Sequence, residues 1–111
     1  MKKIFPELIE KLPKADIPIQ GLTAYLSQAK DHQIVFMQFA EDAEVPEHAH
    51  GAQWGIVLEG KIKLTIEGKE HTYSKGDRFY ILKGEKHSAK IFAGYTSMEC
   101  FEDKDRYKTK E

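Results

Sequence analysis

From Gly21 onward, short runs rich in apolar and β-branched residues recur between turn signals, and that rhythm restricts the chain to an all-β sandwich or barrel. The runs are Leu22–Gln28, Gln33–Ala40, Gln53–Glu59, Lys61–Glu67, Lys69–Ser74, Arg78–Leu82, Ser88–Ala93 and Thr96–Glu102. Glu59-Gly60, Glu67-Gly68 and Lys75-Gly76 punctuate them, each glycine offering the positive φ that a tight turn requires. Ahead of the strands, Phe5, Leu8, Ile9 and Leu12 form a helical stripe that Pro13 stops, predicting a short helix over 5–12. Residues 103–111 are nearly all charged or polar and read as a frayed tail beyond a β core of about 20–102. No repeat or linker divides the chain, so 1–111 reads as one domain.

Alternation predicts which faces are covered, because successive strand side chains point to opposite sides. In Lys61–Glu67, Ile62, Leu64 and Ile66 share one face and the charged residues the other, so one side is wet. In Gln53–Leu58, by contrast, Val57 lies with Gln53 while Trp54, Ile56 and Leu58 lie opposite, so both faces need cover. The helix at 5–12 or a second copy of the chain could supply the outer cover. On Gln33–Ala40 either face could be the inner one, and the faces of Tyr25 and Tyr80 stay open. On the last strand Met98 and Cys100 are expected inside, because the alternate set contains Ser97 and Glu99. Trp54 reads as core or interface, and His32 and His71 as exposed.

The chemistry concentrates at His48-Ala49-His50. Two histidines at i and i+2 on an extended segment share a face, roughly 6.5–7 Å apart at Cα. Neutral imidazole is a common metal ligand, and that spacing lets both rings converge on one ion. Pro46 cannot donate a ladder hydrogen bond, so a strand here is expected to start at or after it.

The segment Pro46–Gly60 resembles the first motif of the cupin superfamily: HxH, a short gap, a carboxylate, then six residues and a glycine. Gly76-Asp77 through Gly84 to His87 resembles the second motif, which ends in histidine. Leu82 and Ile91 stand where the family often has proline and asparagine, and Gln53 where it usually has glutamate. The resemblance spans about His32 to Cys100. It implies an antiparallel jelly-roll barrel (a double-stranded β-helix) of six to eight strands, and a homodimer covering the Trp54 face. It also implies a metal site of His48, His50, Gln53 and His87. Val57, Ile91, Met98 and Cys100 are assigned to the pocket wall, Ile91 because it shares the His87 face.

Gln53 bears on the reaction. Its amide oxygen can ligate a metal, but it cannot take up a proton at neutral pH as a glutamate could. Three neutral histidines and an amide leave a divalent ion its full charge, favouring an anionic oxygen ligand such as an enolate, carboxylate or catecholate. Imidazole and amide donors suit Fe, Mn, Ni, Zn or Cu without choosing among them. Two functions are therefore expected as alternatives. One is a metal-dependent enzyme, a dioxygenase or relative acting on a small enolic, phenolic or carboxylate compound. The other is a non-catalytic sugar- or anion-binding cupin.

Charge and composition exclude other classes. Seventeen basic against eighteen acidic residues leave no field for nucleic acid or an anionic membrane. No apolar run approaches the roughly 18 residues of a bilayer span. Met1 to Glu10 shows no signal-peptide core, and the lone Cys100 has no internal disulfide partner, so a cytoplasmic location is expected.

Overall fold

The structure is a computed structural model and describes residues 3–110. It is built almost entirely of strand: α1 (Glu7–Glu10) precedes β1 (Leu22–Gln28), β2 (Gln33–Phe39), β3 (Ala43–His48), β4 (Gln53–Glu59) and β5 (Lys61–Ile66). β6 (Lys69–Ser74), β7 (Arg78–Ile81), β8 (His87–Ile91) and β9 (Thr96–Phe101) complete it. Two antiparallel sheets result, ordered β1-β2-β9-β4-β7 and β3-β8-β5-β6. This arrangement is consistent with a jelly roll.

One apolar cluster joins the sheets. Val35, Met37, Phe39, Val57, Ile81 and Phe101 come from the five-stranded sheet; Ile62, Leu64 and Ile91 face them from the other. On β2 the inner set is therefore Gln33, Val35, Met37 and Phe39, every one buried. On β4 the inner set is Gln53, Gly55 and Val57, with Trp54, Ile56 and Leu58 half-buried outside, as the alternation implied. Gly60 closes the β4–β5 turn at φ 74°, and a Cβ there would meet the Tyr95 backbone at 2.8 Å. Any side chain would be doubly penalised at that position.

Four expectations need correction. The described residues form nine strands: β3 lacks a clean alternation, and it runs through Pro46 instead of starting after it. Pro46 is tolerated because β3 is an edge strand and is irregular there. Val45 pairs with Ala89 and His48 with His87, so three steps along β3 oppose two along β8. The helix covers only Glu7–Glu10, and its Leu8 is 77 % exposed. Phe5, ahead of the helix, is buried edge-on against Tyr25 and Phe36, so it covers part of the outer face of β1 and β2.

The inner face of β9 is also the opposite of the expected one. Ser97 and Glu99 are buried, whereas Met98 and Cys100 face outward beside Phe36, Ile56, Ile34 and Trp54. Finally, residues 103–110 do not fray. Thr109 bridges to Ala15, and Lys110 donates its N–H to the Lys14 carbonyl. Tyr107 packs edge-on against Phe101 and exchanges hydrogen bonds with the side chain of Gln33. Glutamine at position 33 therefore holds this segment in place from inside the fold.

Candidate metal centre

The irregularity in β3 has a chemical consequence. In a regular strand Val45 and His48, three residues apart, would face opposite sides. The extra residue at Pro46-Glu47 restores the parity, so both Val45 and His48 line the cavity between the sheets. His48 then lies directly across from His87, the first residue of β8. His50 enters from the loop after β3, and hydrogen bonds at His50, Gly51 and Ala52 hold that loop. The His50 carbonyl accepts the Gly84 N–H, and the Asp103 carboxylate accepts the Gly51 N–H.

The three rings converge. Centroids lie 4.2 Å apart for His48 and His87, 4.8 Å for His50 and His87, and 5.2 Å for His48 and His50. One nitrogen from each falls within 4.8 Å of the others, close enough for a common ion. Every Nδ1 is held by a backbone carbonyl: Pro46 for His48 at 2.8 Å, Gly51 for His50 at 2.7 Å, Glu85 for His87 at 2.9 Å. Donation to these carbonyls puts the ring proton on Nδ1 and leaves the lone pair on Nε2. Yet the Nε2 atoms of His50 and His87 are buried with no hydrogen-bond partner. Buried polar atoms are rarely left so, and an ion ligated by all three Nε2 atoms removes the anomaly. The donor set fits a divalent transition metal.

Burial lowers the pKa of His50 and His87, against the pull of their backbone carbonyls; the charges of Arg106 and neighbouring histidines add to the lowering. Both rings are thus kept neutral, as ligands must be. Arg106 reaches the cavity from the C-terminal segment, stacked on Tyr107 at 4.8 Å. Its Nε is buried without a partner, and among the described residues it forms no ion pair with a carboxylate.

Gln53, the first residue of β4, is buried and lines the same cavity. Its Nε2 donates to Glu99 Oε1 at 2.5 Å. The other Glu99 oxygen accepts from Ser97 at 2.6 Å and Tyr95 at 3.0 Å. Burial raises the Glu99 pKa while these three donors oppose the rise. Burial likewise raises the Tyr95 hydroxyl.

Of the residues assigned to the pocket wall, Ile91 lines the cavity with Ala89, Ile62 and Phe101. Val57 is buried in the adjoining core. Met98 and Cys100 are on the far side of β9, because Glu99 finds three donors between the sheets. Glu99, Arg106 and Tyr107 escaped the sequence reading. The only signal for Glu99 was its shared parity with Ser97 and Phe101; for the segment that follows, it was Tyr107 among charges. The cavity itself is small, with about 70 Å³ of room for water-sized groups, and its wall is mostly aliphatic and aromatic.

A two-sheet antiparallel fold that gathers three histidines at one cavity defines a class of β scaffold able to hold a metal. The cupin domain family model matches residues 35–101, most of the chain, and the chain belongs to that family. None of the curated proteins matches at a significant level. Solved structures agree on the fold. An RmlC-like cupin from Shewanella frigidimarina superposes with TM-score 0.75 at 22% identity, over 87% of this chain and 88% of that one. KdgF from Halomonas sp. gives 0.69 at 21%, over 82% and 87%. An oxalate decarboxylase from Bacillus subtilis, a protein with Mn(II) centres, gives 0.71 at 20%, over 91% of this chain and 30% of that one.

Proposed function

We propose that this is a small cupin metalloprotein that holds a divalent transition metal on His48, His50 and His87, with Gln53 beside them, and takes a small carboxylate-bearing compound as ligand. The observation that carries the reading is the pair of buried, unpartnered Nε2 atoms on His50 and His87, each with its opposite ring nitrogen tethered. Fe, Mn, Ni, Zn and Cu all suit these donors. When bound, the metal supplies Lewis-acid activation and a template for an oxygen-donating ligand.

This chain's own residues do the rest. His50 and His87 stay neutral because burial disfavours their charged forms. Arg106 presents a guanidinium whose Nε has no protein partner, a match for the carboxylate of a ligand held against the metal. The aliphatic wall of Ile17, Ile19, Leu22 and Val45 limits water and strengthens those attractions. An enolic, phenolic or carboxylate compound of few heavy atoms fits such a space, and metal-dependent oxygenation is the reaction expected of it. Non-catalytic binding is the second reading. It is favoured by Glu99, whose oxygens are already committed to Gln53, Ser97 and Tyr95 and so offer no free base.

The half-buried outer face of Ile34, Phe36, Trp54, Ile56 and Met98 is proposed to associate with a second copy. Tyr80, also on β7 of that sheet, is 57 % exposed. Light scattering at tens of micromolar tests this. No helix among the described residues is long and apolar enough to cross a membrane. A cytoplasmic location is proposed from the free thiol of Cys100.

Metal analysis of protein purified without a histidine tag is the primary test. About one equivalent of a transition metal, lost in His87→Ala, supports the site; a metal-free protein that also rejects added Zn or Mn overturns it. Dicarboxylate titration into the loaded protein then tests the ligand class.

A further inference from the structure

The contact between Gln53 and Glu99 joins two strands that the chain brings together from far apart. β4 lies between β9 and β7, and Gly55, two residues along, is registered with Glu99. Both side chains are buried and both line the histidine cavity. A primary amide has two chemically opposite ends of nearly the same shape: NH2 only donates, and the oxygen only accepts. Facing water, either end can turn toward an ion, and an NH2 group pointed at a cation is repelled.

Facing a carboxylate, the amide has one good choice. With Glu99 ionised, its Oε1 can only accept, so Nε2 is the end that meets it, at 2.5 Å. Glu99 is itself immobilised, with Ser97 and Tyr95 both on its other oxygen. With the NH2 end turned to Glu99, the oxygen at the opposite end is left as the amide's free acceptor, the only atom of the group that can ligate a cation. Resting on the metal-site reading above, we propose that Glu99 is a positioning residue that selects the rotamer of Gln53, committing the amide oxygen to the ion.

The pair is an amide and a carboxylate whose places can be exchanged. With glutamate at 53 and glutamine at 99, the same N–H···O bond runs in reverse, and the carboxylate then sits at position 53, where the metal-site reading puts a ligand.

Cobalt(II) is the probe, because its d–d absorption reports its ligands while a competing chelator gives affinity. Glu99→Gln should weaken cobalt binding about tenfold, within the range that supporting neighbours of ligands command, and alter the absorption band. The exchanged double variant, Gln53→Glu with Glu99→Gln, should bind at least as tightly as wild type. Gln53→Met should also weaken binding, and adding Glu99→Gln to it should cost no more than about twofold further. A general structural role for Glu99 would weaken both backgrounds alike.

Thermal melts of the metal-free variants accompany each titration. Glu99→Gln should stay folded, since it removes a buried charge at nearly constant volume, and the methionine background carries the test if it does not. Unchanged cobalt affinity in Glu99→Gln, or an exchanged variant no better than Glu99→Gln, overturns the proposal. Wild type that binds no cobalt, and matches His87→Ala in doing so, overturns the metal site and this role with it. Failure of the pairing alone leaves the wild-type and His87→Ala titrations far apart.

Discussion

The polar cluster around Glu99 and the one formed by the histidines both line the space between the sheets, and they have been treated in opposite ways. Around Glu99 each carboxylate oxygen has a protein donor, from Gln53, Ser97 or Tyr95. Around the histidines each ring is anchored at Nδ1, and two Nε2 atoms are left with nothing. A saturated network is complete within the fold. An anchored but unsaturated one is preorganised for something the fold does not itself provide. Burial of polar groups alone does not distinguish a site from a structural cluster; the remaining valences do.

That contrast can be broken by substitution. His87→Ala removes one anchored lone pair, and metal affinity should fall by well over about a hundredfold, exceeding the 10–100-fold typical of residues that only support ligands. A chelator competition assay would measure it, and a small loss would mean the histidines are not a unit. Tyr95→Phe should do the reverse. It should cost about 1–3 kcal/mol of stability, the penalty for leaving a buried acceptor short of a donor. With Ser97 still donating to the same Glu99 oxygen and Gln53 to the other, metal affinity should change little. A variant that kept its melting temperature and lost metal would erase the distinction.

Arg106→Met addresses the guanidinium that lines the cavity. Affinity for malonate in the metal-loaded protein should drop about tenfold, near 1.4 kcal/mol, while calorimetry shows metal uptake unchanged. The smallest expected effect is the response of the metal-free protein to pH, where the clusters oppose one another. His50 and His87 have pKa values lowered from 6.5, so the unfolded chain binds more protons just below that pH. Their contribution to stability is present above about 6.5 and is lost as pH falls below it. Glu99 is raised from 4.5, so its sign is reversed: stability declines as pH climbs from there through the folded value. Denaturant midpoints across this range should rise more steeply with pH in Glu99→Gln than in wild type. A His50→Gln, His87→Gln double variant should lose the rise.

The sequence disclosed these clusters unequally, for a physical reason. The histidines were legible because their spacing on extended chain, with the cupin-like motifs around them, encodes convergence locally. The inner faces of β4 and β5 were legible too, since alternation against one core is a local signal. Glu99 was not. A charged residue reads as solvent-facing until its donors are known, and Gln53 lies 46 positions away in the chain. That single parity error carried Met98 and Cys100 to the wrong side. Arg106 and Tyr107 were missed likewise, because long-range bonds, to Gln33 and to the stretch around Lys14 and Ala15, order the segment that carries them. β3 was expected to start at or after Pro46; its true span was not legible because the proline and the extra residue that place His48 break the alternation.

Pro46 has a consequence for colloidal behaviour. The strand that bears it is one border of the histidine-bearing sheet, and the other border is β6, with exposed Lys69, Glu70 and His71. An unpaired border strand is a template on which another chain can add itself, repeating into fibres. The proline offers no N–H to such a template, Glu44 and Glu47 flank it with like charges, and the local bend spoils a flat docking line. The same irregularity that turns a histidine inward therefore also keeps the sheet from polymerising along its rim.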